Sequence, residues 1–221
     1  MNHLTYDATV TTTTRTPLTR ERIIEAAIVF ADAHGVDELS MRKLGAVLGV
    51  EAMSLYNHVA NKDDIYDGMI DHVFNEIPLP DSALDWKEQT RRLGHGAMEQ
   101  FGRHPWVVYL LMARGNFGPG ALQFMDHVLG LLLEAGFGEE DAHHAWQMLA
   151  SHTMGYAFQS STGAGMAEKD YAALVETRSA EIMRLYPNVA RLTPLIVDCA
   201  WDREYLFGLE IIIDGLDARL G

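Results

Sequence analysis

SMRKLGAVLGVEAMSLYNHV, residues 40–59, is the stretch on which the fold turns. Ser40 is placed to cap a short helix over 41–48, because its hydroxyl can accept from an amide of the first turn. Leu44, Val47 and Leu48 are expected on the inner side of that helix. Gly49 allows a tight turn. A second short helix over 51–57 puts Leu55 inward, with Val50 leading into it. Two short helices crossing at a glycine turn make the helix-turn-helix pattern, whose second helix enters the DNA major groove. Spacing by itself leaves an ordinary helical hairpin open as well.

Working outward, Pro17 and Thr19 start a helix upstream, with Glu21 at its positive end. Ile23, Ala27, Phe30, Ala31 and His34 form its expected inner stripe, and Gly35 ends it. Downstream, Asn61 caps a helix over 61–77, with Asp63 and Asp64 in its first turn and Ile65, Met69, Val73 and Ile77 inward. Pro78 and Pro80 break the chain. Residues 17–78 thus read as a three-helix head with a fourth helix as connector, and 79–221 as a larger helical domain. Helices are expected in the latter at 84–103, 105–114, 120–135, 139–161, 168–185 and 197–219, with Pro187 to Pro194 as a connection. Residues 1–16, with threonine at 11 to 14, read as a disordered tail. Gly115, Gly118 and Gly120 follow no strand, so they read as an interhelical turn rather than a phosphate loop.

Composition agrees with an all-α protein. Apolar residues are 48% of the 221, enough for a core, and they recur at three- and four-residue spacing. The net charge of -14 argues against DNA binding until its distribution is seen. Residues 1–62 carry six basic and seven acidic side chains; residues 63–221 carry 11 and 24. A near-neutral head on an acidic body is compatible with a DNA reader. One cysteine, Cys199, permits no internal disulfide, and the longest apolar run, Val107 to Ala113, is too short to span a membrane. A cytoplasmic protein with no membrane contact is expected.

The runs RIIEAAIVFADAHGVDELSMRKLGAVLGV and SLYNHVANKDDI are similar to the DNA-binding domain of the tetracycline-repressor (TetR) family. The pattern L-Y-x-H-V-x-N-K after L-G-V carries most of that resemblance. YLFGLEIIIDGLDARL, 205–220, resembles the last helix of the same family, and Trp86 and the Gly136-Phe137 pair fit its tetracycline-binding subgroup. The resemblance implies a homodimeric repressor that binds a palindromic double-stranded operator and is released by a small hydrophobic effector. It places Ser40, Arg42, Ala52, Met53, Ser54, Tyr56, His58 and Lys62 at the DNA. Tyr56, His58 and Lys62 would hold the phosphate backbone, and Arg42 a guanine edge or a phosphate. Family members that read the tetracycline operator have Gln-Pro where this chain has Ala52-Met53, so a different operator is implied.

The last helix is apolar nearly all round from Tyr205 to Ile213, so it must be covered on two sides. Tyr205, Leu209, Ile212 and Leu216 are the expected dimer seam. Large adaptable groups suggest an effector pocket: Phe101, Trp106, Tyr109, Met112, Phe124, Met148, His152, Tyr156 and Gln159. The last four share one helical face, and such a stripe equally describes simple core. No metal or cofactor is expected. His144 and His152 lie two turns apart, roughly 12 Å by helix rise, too far to share one zinc ion. Where the family's tetracycline and magnesium ligands would stand, this chain has Ile77 or Pro78, Leu93 and apolar residues near Leu111, which argues against that effector.

Two other readings compete. A helical enzyme could use a pair such as His95 and Glu99, yet no nucleophile motif accompanies them, and no enzyme activity is expected. A regulator answering to a protein partner instead of a small molecule is the second.

Overall fold

The computed structural model describes residues 17–115, 118–163, 181, 184–197 and 201–220. The N-terminal tail, Cys199 and most of the expected helix at 168–185 lie outside the described residues. Ten α-helices occur among those described, and no strand: α1 Arg20–His34, α2 Met41–Leu48, α3 Ala52–Leu55, α4 Lys62–Asn75, α5 Trp86–Arg103, α6 Trp106–Arg114, α7 Pro119–Glu134, α8 Glu139–Gly163, α9 Pro187–Val197 and α10 Trp201–Leu220.

Local chemistry sets the boundaries. Thr19, Ser40, Asn61 and Asp85 each accept a backbone amide from the third residue on, closing the starts of α1, α2, α4 and α5. Gly49 ends α2 at φ 66°, in the left-handed region that glycine enters freely. α3 is only Ala52–Leu55; beyond it the chain turns tightly, with the amides of His58 and Val59 donating to the Leu55 carbonyl at 2.9 and 3.1 Å.

Three expectations are corrected here. Val47 is 56% exposed, because the narrow inner face of an eight-residue helix is filled by Leu44 and Gly45. His34 is exposed as well; its ring stacks on Phe30 at 4.5 Å and its Nδ1 lies 3.1 Å from the Phe30 carbonyl, so it closes its own helix end. Residues 187–197 are helical and not a connection. Proline fits the first turn of a helix, where its missing N–H is not needed, and Pro187 starts α9 in that way. Pro194 is carried inside the helix on an exposed side.

One apolar cluster runs from the head through α4 into the body. It joins Ile23, Leu44 and Leu55 to Ile65, Met69 and Val73, then to Phe101, Val107, Leu111 and Ala157. Polar contacts cross the same boundary. Asp32 on α1 accepts from Trp106 Nε1 at 2.7 Å and from His104 Nδ1 at 2.8 Å. Arg114, ending α6, pairs with Asp63 at 2.6 Å and Asp67 at 2.8 Å on α4. Asp71 on α4 accepts the Gly120 amide at 2.9 Å, in the first turn of α7. α4 is therefore gripped at several heights by α6 and α7.

α10 packs on α5 and α8. Arg91 clasps Glu210 through two hydrogen bonds of 2.7 and 2.9 Å, which hold the Glu210 carboxyl below its ordinary range. Tyr205, Leu209, Ile213 and Leu216 are buried within the subunit. That corrects the expected seam: Tyr205, Leu209 and Leu216 cover the chain's own core, and Ile212 is half-buried. The face turned outward carries Leu206, Phe207 and Ile211.

Candidate nucleic-acid interface and interior cavity

The eight expected DNA contacts lie on α2, on α3, at the start of α4 and on the residues that flank these helices. The Val50 amide donates to the Gly45 carbonyl at 2.9 Å, closing the last turn of α2 where the chain passes into α3. A Cβ at Gly45 would lie 2.8 Å from the Val50 carbonyl and 3.2 Å from the Ala52 nitrogen. Only glycine permits this approach. Gly45 is thus a close-approach position that the sequence reading missed in favour of Gly49; a glycine inside a short amphipathic helix was the available sign.

Met53 and Tyr56 project from the second helix, 74% and 45% exposed. Large apolar and aromatic groups so exposed on a short helix point to a partner surface. Ser54 and His58 line an open groove of about 680 Å³ together with Arg22 and Asn57. Arg42 is exposed and has no ion pair among the described residues. Ser40 is committed to its cap, accepting the Lys43 amide at 3.3 Å. Lys43 itself pairs with Glu38. The Lys62 ammonium sits over the Tyr66 ring, 5.0 Å from its centre, at the start of α4. Beneath it, Asp64 binds Arg20 at 2.7 Å and accepts the Ala60 amide at 2.9 Å. The Arg20 guanidinium and that amide hold the Asp64 carboxyl below its usual range, so this anchor of α4 stays charged.

Helices α4, α5, α6, α7, α8 and α10 surround a partly open cavity of about 190 Å³. Phe74, Phe101, Phe124 and Trp146 are its aromatic walls, and Phe74 lies 5.8 Å from Phe101 and 5.6 Å from Phe124 by ring centres. Of the nine expected pocket residues, Phe101 and Phe124 line it. The others are corrected. Trp106 is buried but serves the contact with Asp32. Tyr109, Met112 and Met148 are 51%, 62% and 51% exposed, and Gln159 is exposed too. His152 and Tyr156 pack beside Tyr205, outside the wall.

The error on α8 has a simple geometric cause. Its inward stripe is Ala142, Ala145, Leu149, Thr153 and Ala157, all buried. The expected stripe is one residue earlier, a rotation of about 100° on a helix with 3.6 residues per turn. Large side chains were weighted above small ones, whereas the alanines mark the buried face. Among the described residues, no group of three or more His, Cys, Asp and Glu could hold a metal ion, and no helix is long and apolar enough to cross a membrane.

A helix-turn-helix head joined by one helix to a cavity-bearing body is the layout of a ligand-sensing transcription regulator. The family model for the tetracyclin repressor-like C-terminal domain matches residues 79–220. An HTH-type transcriptional regulator of Saccharopolyspora erythraea is 32% identical, over 94% of this chain and 88% of that protein. The HTH-type transcriptional repressor DrrR1 of Streptomyces coeruleorubidus is 29% identical, over 90% and 77%. The crystal structure of the Streptomyces coelicolor TetR family protein ActR in complex with actinorhodin superposes with a TM-score of 0.80, at 32% identity, over 93% of this chain and all of that one. The chain belongs to the TetR family of regulators.

The interface geometry carries a prediction. Tyr56→Ala and Lys62→Ala should each weaken operator binding by about tenfold, the scale of one lost phosphate anchor with its charge or hydrogen bond. Lys62→Ala should also flatten the salt dependence of binding, and Tyr56→Ala should not. Electrophoretic mobility shifts over a range of salt concentrations measure both. Wild-type affinity in both variants would move the reading face elsewhere.

Proposed function

We infer that this protein is a ligand-responsive transcriptional repressor and no enzyme. As a cytoplasmic homodimer it binds a palindromic operator through α2 and α3, and a small hydrophobic effector in the cavity releases it. One observation carries the reading: Phe74 of α4 is a wall of the cavity, while Lys62 begins the same helix beside the DNA-reading face. An occupant of the cavity therefore touches the helix that positions the head. Repressor relatives and the structure of ActR in complex with actinorhodin support this assignment. The outward apolar row Leu206, Phe207 and Ile211 on α10 supports the dimer, since such a row is costly in water.

The coupling can be measured. Two ligands that favour different arrangements of one helix must weaken each other by the same factor, typically about 5–150-fold. A thermal-shift screen of hydrophobic compounds supplies a ligand. Its affinity should then fall when operator is added. Asp71→Ala removes the bond from α4 to the Gly120 amide and touches neither the cavity wall nor the DNA-reading face. It should shrink the mutual effect several-fold while leaving each separate affinity nearly intact. Equal ligand affinities with and without operator in the wild type would rule out release by an effector.

A further inference from the structure

The cavity is mostly apolar; Gln147 and Ser151 line it as exposed side chains, and its buried polar groups are few. Among the described residues, no acidic or basic side chain lines it. Thr90 is buried there, but its hydroxyl donates to the Trp86 carbonyl at 2.8 Å and so has no hydrogen left to give. The remaining buried group is a pair. The Tyr205 hydroxyl and Thr153 Oγ1 lie 3.1 Å apart, and both residues line the cavity. Two hydroxyls have two hydrogens, and one bond between them uses one. The other O–H has no acceptor among the described residues, and both residues line the cavity.

The pair is rigidly held. Tyr205 is 2% exposed, and its ring stacks on His152 at 5.0 Å with only 14° between the planes. His152 Nε2 lies 2.9 Å from the Tyr205 carbonyl, which can only accept, so Nε2 carries the proton and fixes this turn of α10. Gly208 makes room for the imidazole: a Cβ there would stand 2.3 Å from His152 Cε1. Burial pushes the Tyr205 phenol up to about 12, so it remains a neutral donor at physiological pH.

We propose that the Tyr205–Thr153 hydroxyl pair selects the effector, donating one hydrogen bond to a carbonyl or hydroxyl oxygen of an uncharged, flat, multi-ring aromatic molecule. The rings lie among Phe74, Phe124 and Trp146, where offset or edge-on aromatic contact is favourable. Net charge is selected against, because nothing in the wall compensates it and a buried unpaired charge is expensive. The proposal rests on the effector-cavity reading above and adds the ligand's class and the group that reads it.

The test uses three probes on the full-length protein, followed by tryptophan fluorescence, since Trp146 is in the wall. They are 9,10-anthraquinone, anthracene and anthraquinone-2-sulfonate. The wild type should bind anthraquinone about tenfold or more tighter than anthracene, the scale of a buried donor left unpaired. It should bind the sulfonate at least about tenfold more weakly than anthraquinone. In Tyr205→Phe/Thr153→Val, anthraquinone and anthracene should bind alike, with the anthracene affinity unchanged. Replacing both members of a bonded pair by apolar groups of the same shape leaves no orphaned partner, and retained operator binding shows that the variant is folded. Equal wild-type affinities for anthraquinone and anthracene would overturn the proposal, as would a preference surviving in the double variant, tight binding of the sulfonate, or no binding of any probe. If anthraquinone binds with the expected selectivity and operator is not released, the proposal stands and the effector-release reading falls.

Discussion

Ile211→Asp will convert the dimer into a folded monomer and lower operator affinity by about a hundredfold or more. Ile211 is 57% exposed on the single chain, and Phe207, one turn before it, is 70% exposed. Within the subunit an aspartate at 211 meets water, so the fold tolerates it. Across a helix-to-helix interface the same carboxylate is buried without a partner, which costs several kcal/mol. Loss of the dimer also loses the linkage of two reading heads. Joining two half-site contacts raises avidity by about 10²–10⁴ without any new contact, and the monomer forfeits that gain. Sedimentation velocity reads the mass, circular dichroism the fold, and a mobility shift the operator affinity. Ile213→Asp is the contrasting variant. Ile213 is 0% exposed inside the subunit, so its replacement should unfold the larger domain instead of separating intact chains. A folded, dimeric Ile211→Asp protein would show that this face of α10 is not the seam.

That choice of residue shows where the sequence was informative and where it was not. The need to cover the last helix on two sides could be read from the apolar run Tyr205 to Ile213. Which side meets the chain's own core could not, because leucine, isoleucine and tyrosine serve either environment. The packing of α5 and α8 decides it, and it takes Tyr205, Leu209 and Leu216 inward. The head was far more legible. Its helices are short and their caps local: Ser40, Asn61 and Gly49 act within three residues of where they stand. The cavity was least legible, since six helices from distant parts of the chain build it. Phe74 and Tyr205, which line it together, are 131 residues apart in sequence, and no local pattern connects them. Trp106 was misassigned for the same reason. Its size marks it as buried, but its partner is Asp32, an aspartate on α1 with nothing in its own surroundings to reveal the contact.

Gly45→Val will lower operator affinity by about a hundredfold or more while leaving the dimer and the cavity working. In an open helix the effect of replacing this glycine would have the opposite sign. Glycine is about 1 kcal/mol worse than alanine in a helix interior, so Gly45→Ala would stabilise α2 if space were available. It is not. A Cβ would meet the Val50 carbonyl oxygen at 2.8 Å, the Ala52 nitrogen at 3.2 Å and the Ala52 Cα at 3.3 Å. All three are backbone atoms of the turn into α3, and no rotamer change can relieve the contact. The helices must move apart, which also strains the bond from the Val50 amide to the Gly45 carbonyl. Overpacking of this kind costs about 1–3 kcal/mol for a few added methylenes. The functional loss is larger than the stability loss, because base-reading side chains must be held within about 0.5 Å of their working position. Gly45→Ala should lose operator affinity by about tenfold and Gly45→Val by about a hundredfold or more. The body is spared: α10 packs on α5 and α8, and Gly45 does not line the cavity. Sedimentation should therefore still report a dimer, and 9,10-anthraquinone should bind as in the wild type. Its affinity should cease to depend on added operator. If Gly45→Ala proves more stable than the wild type and binds operator normally, α2 and α3 do not cross as closely as described, and the reading head must be rebuilt around a different contact.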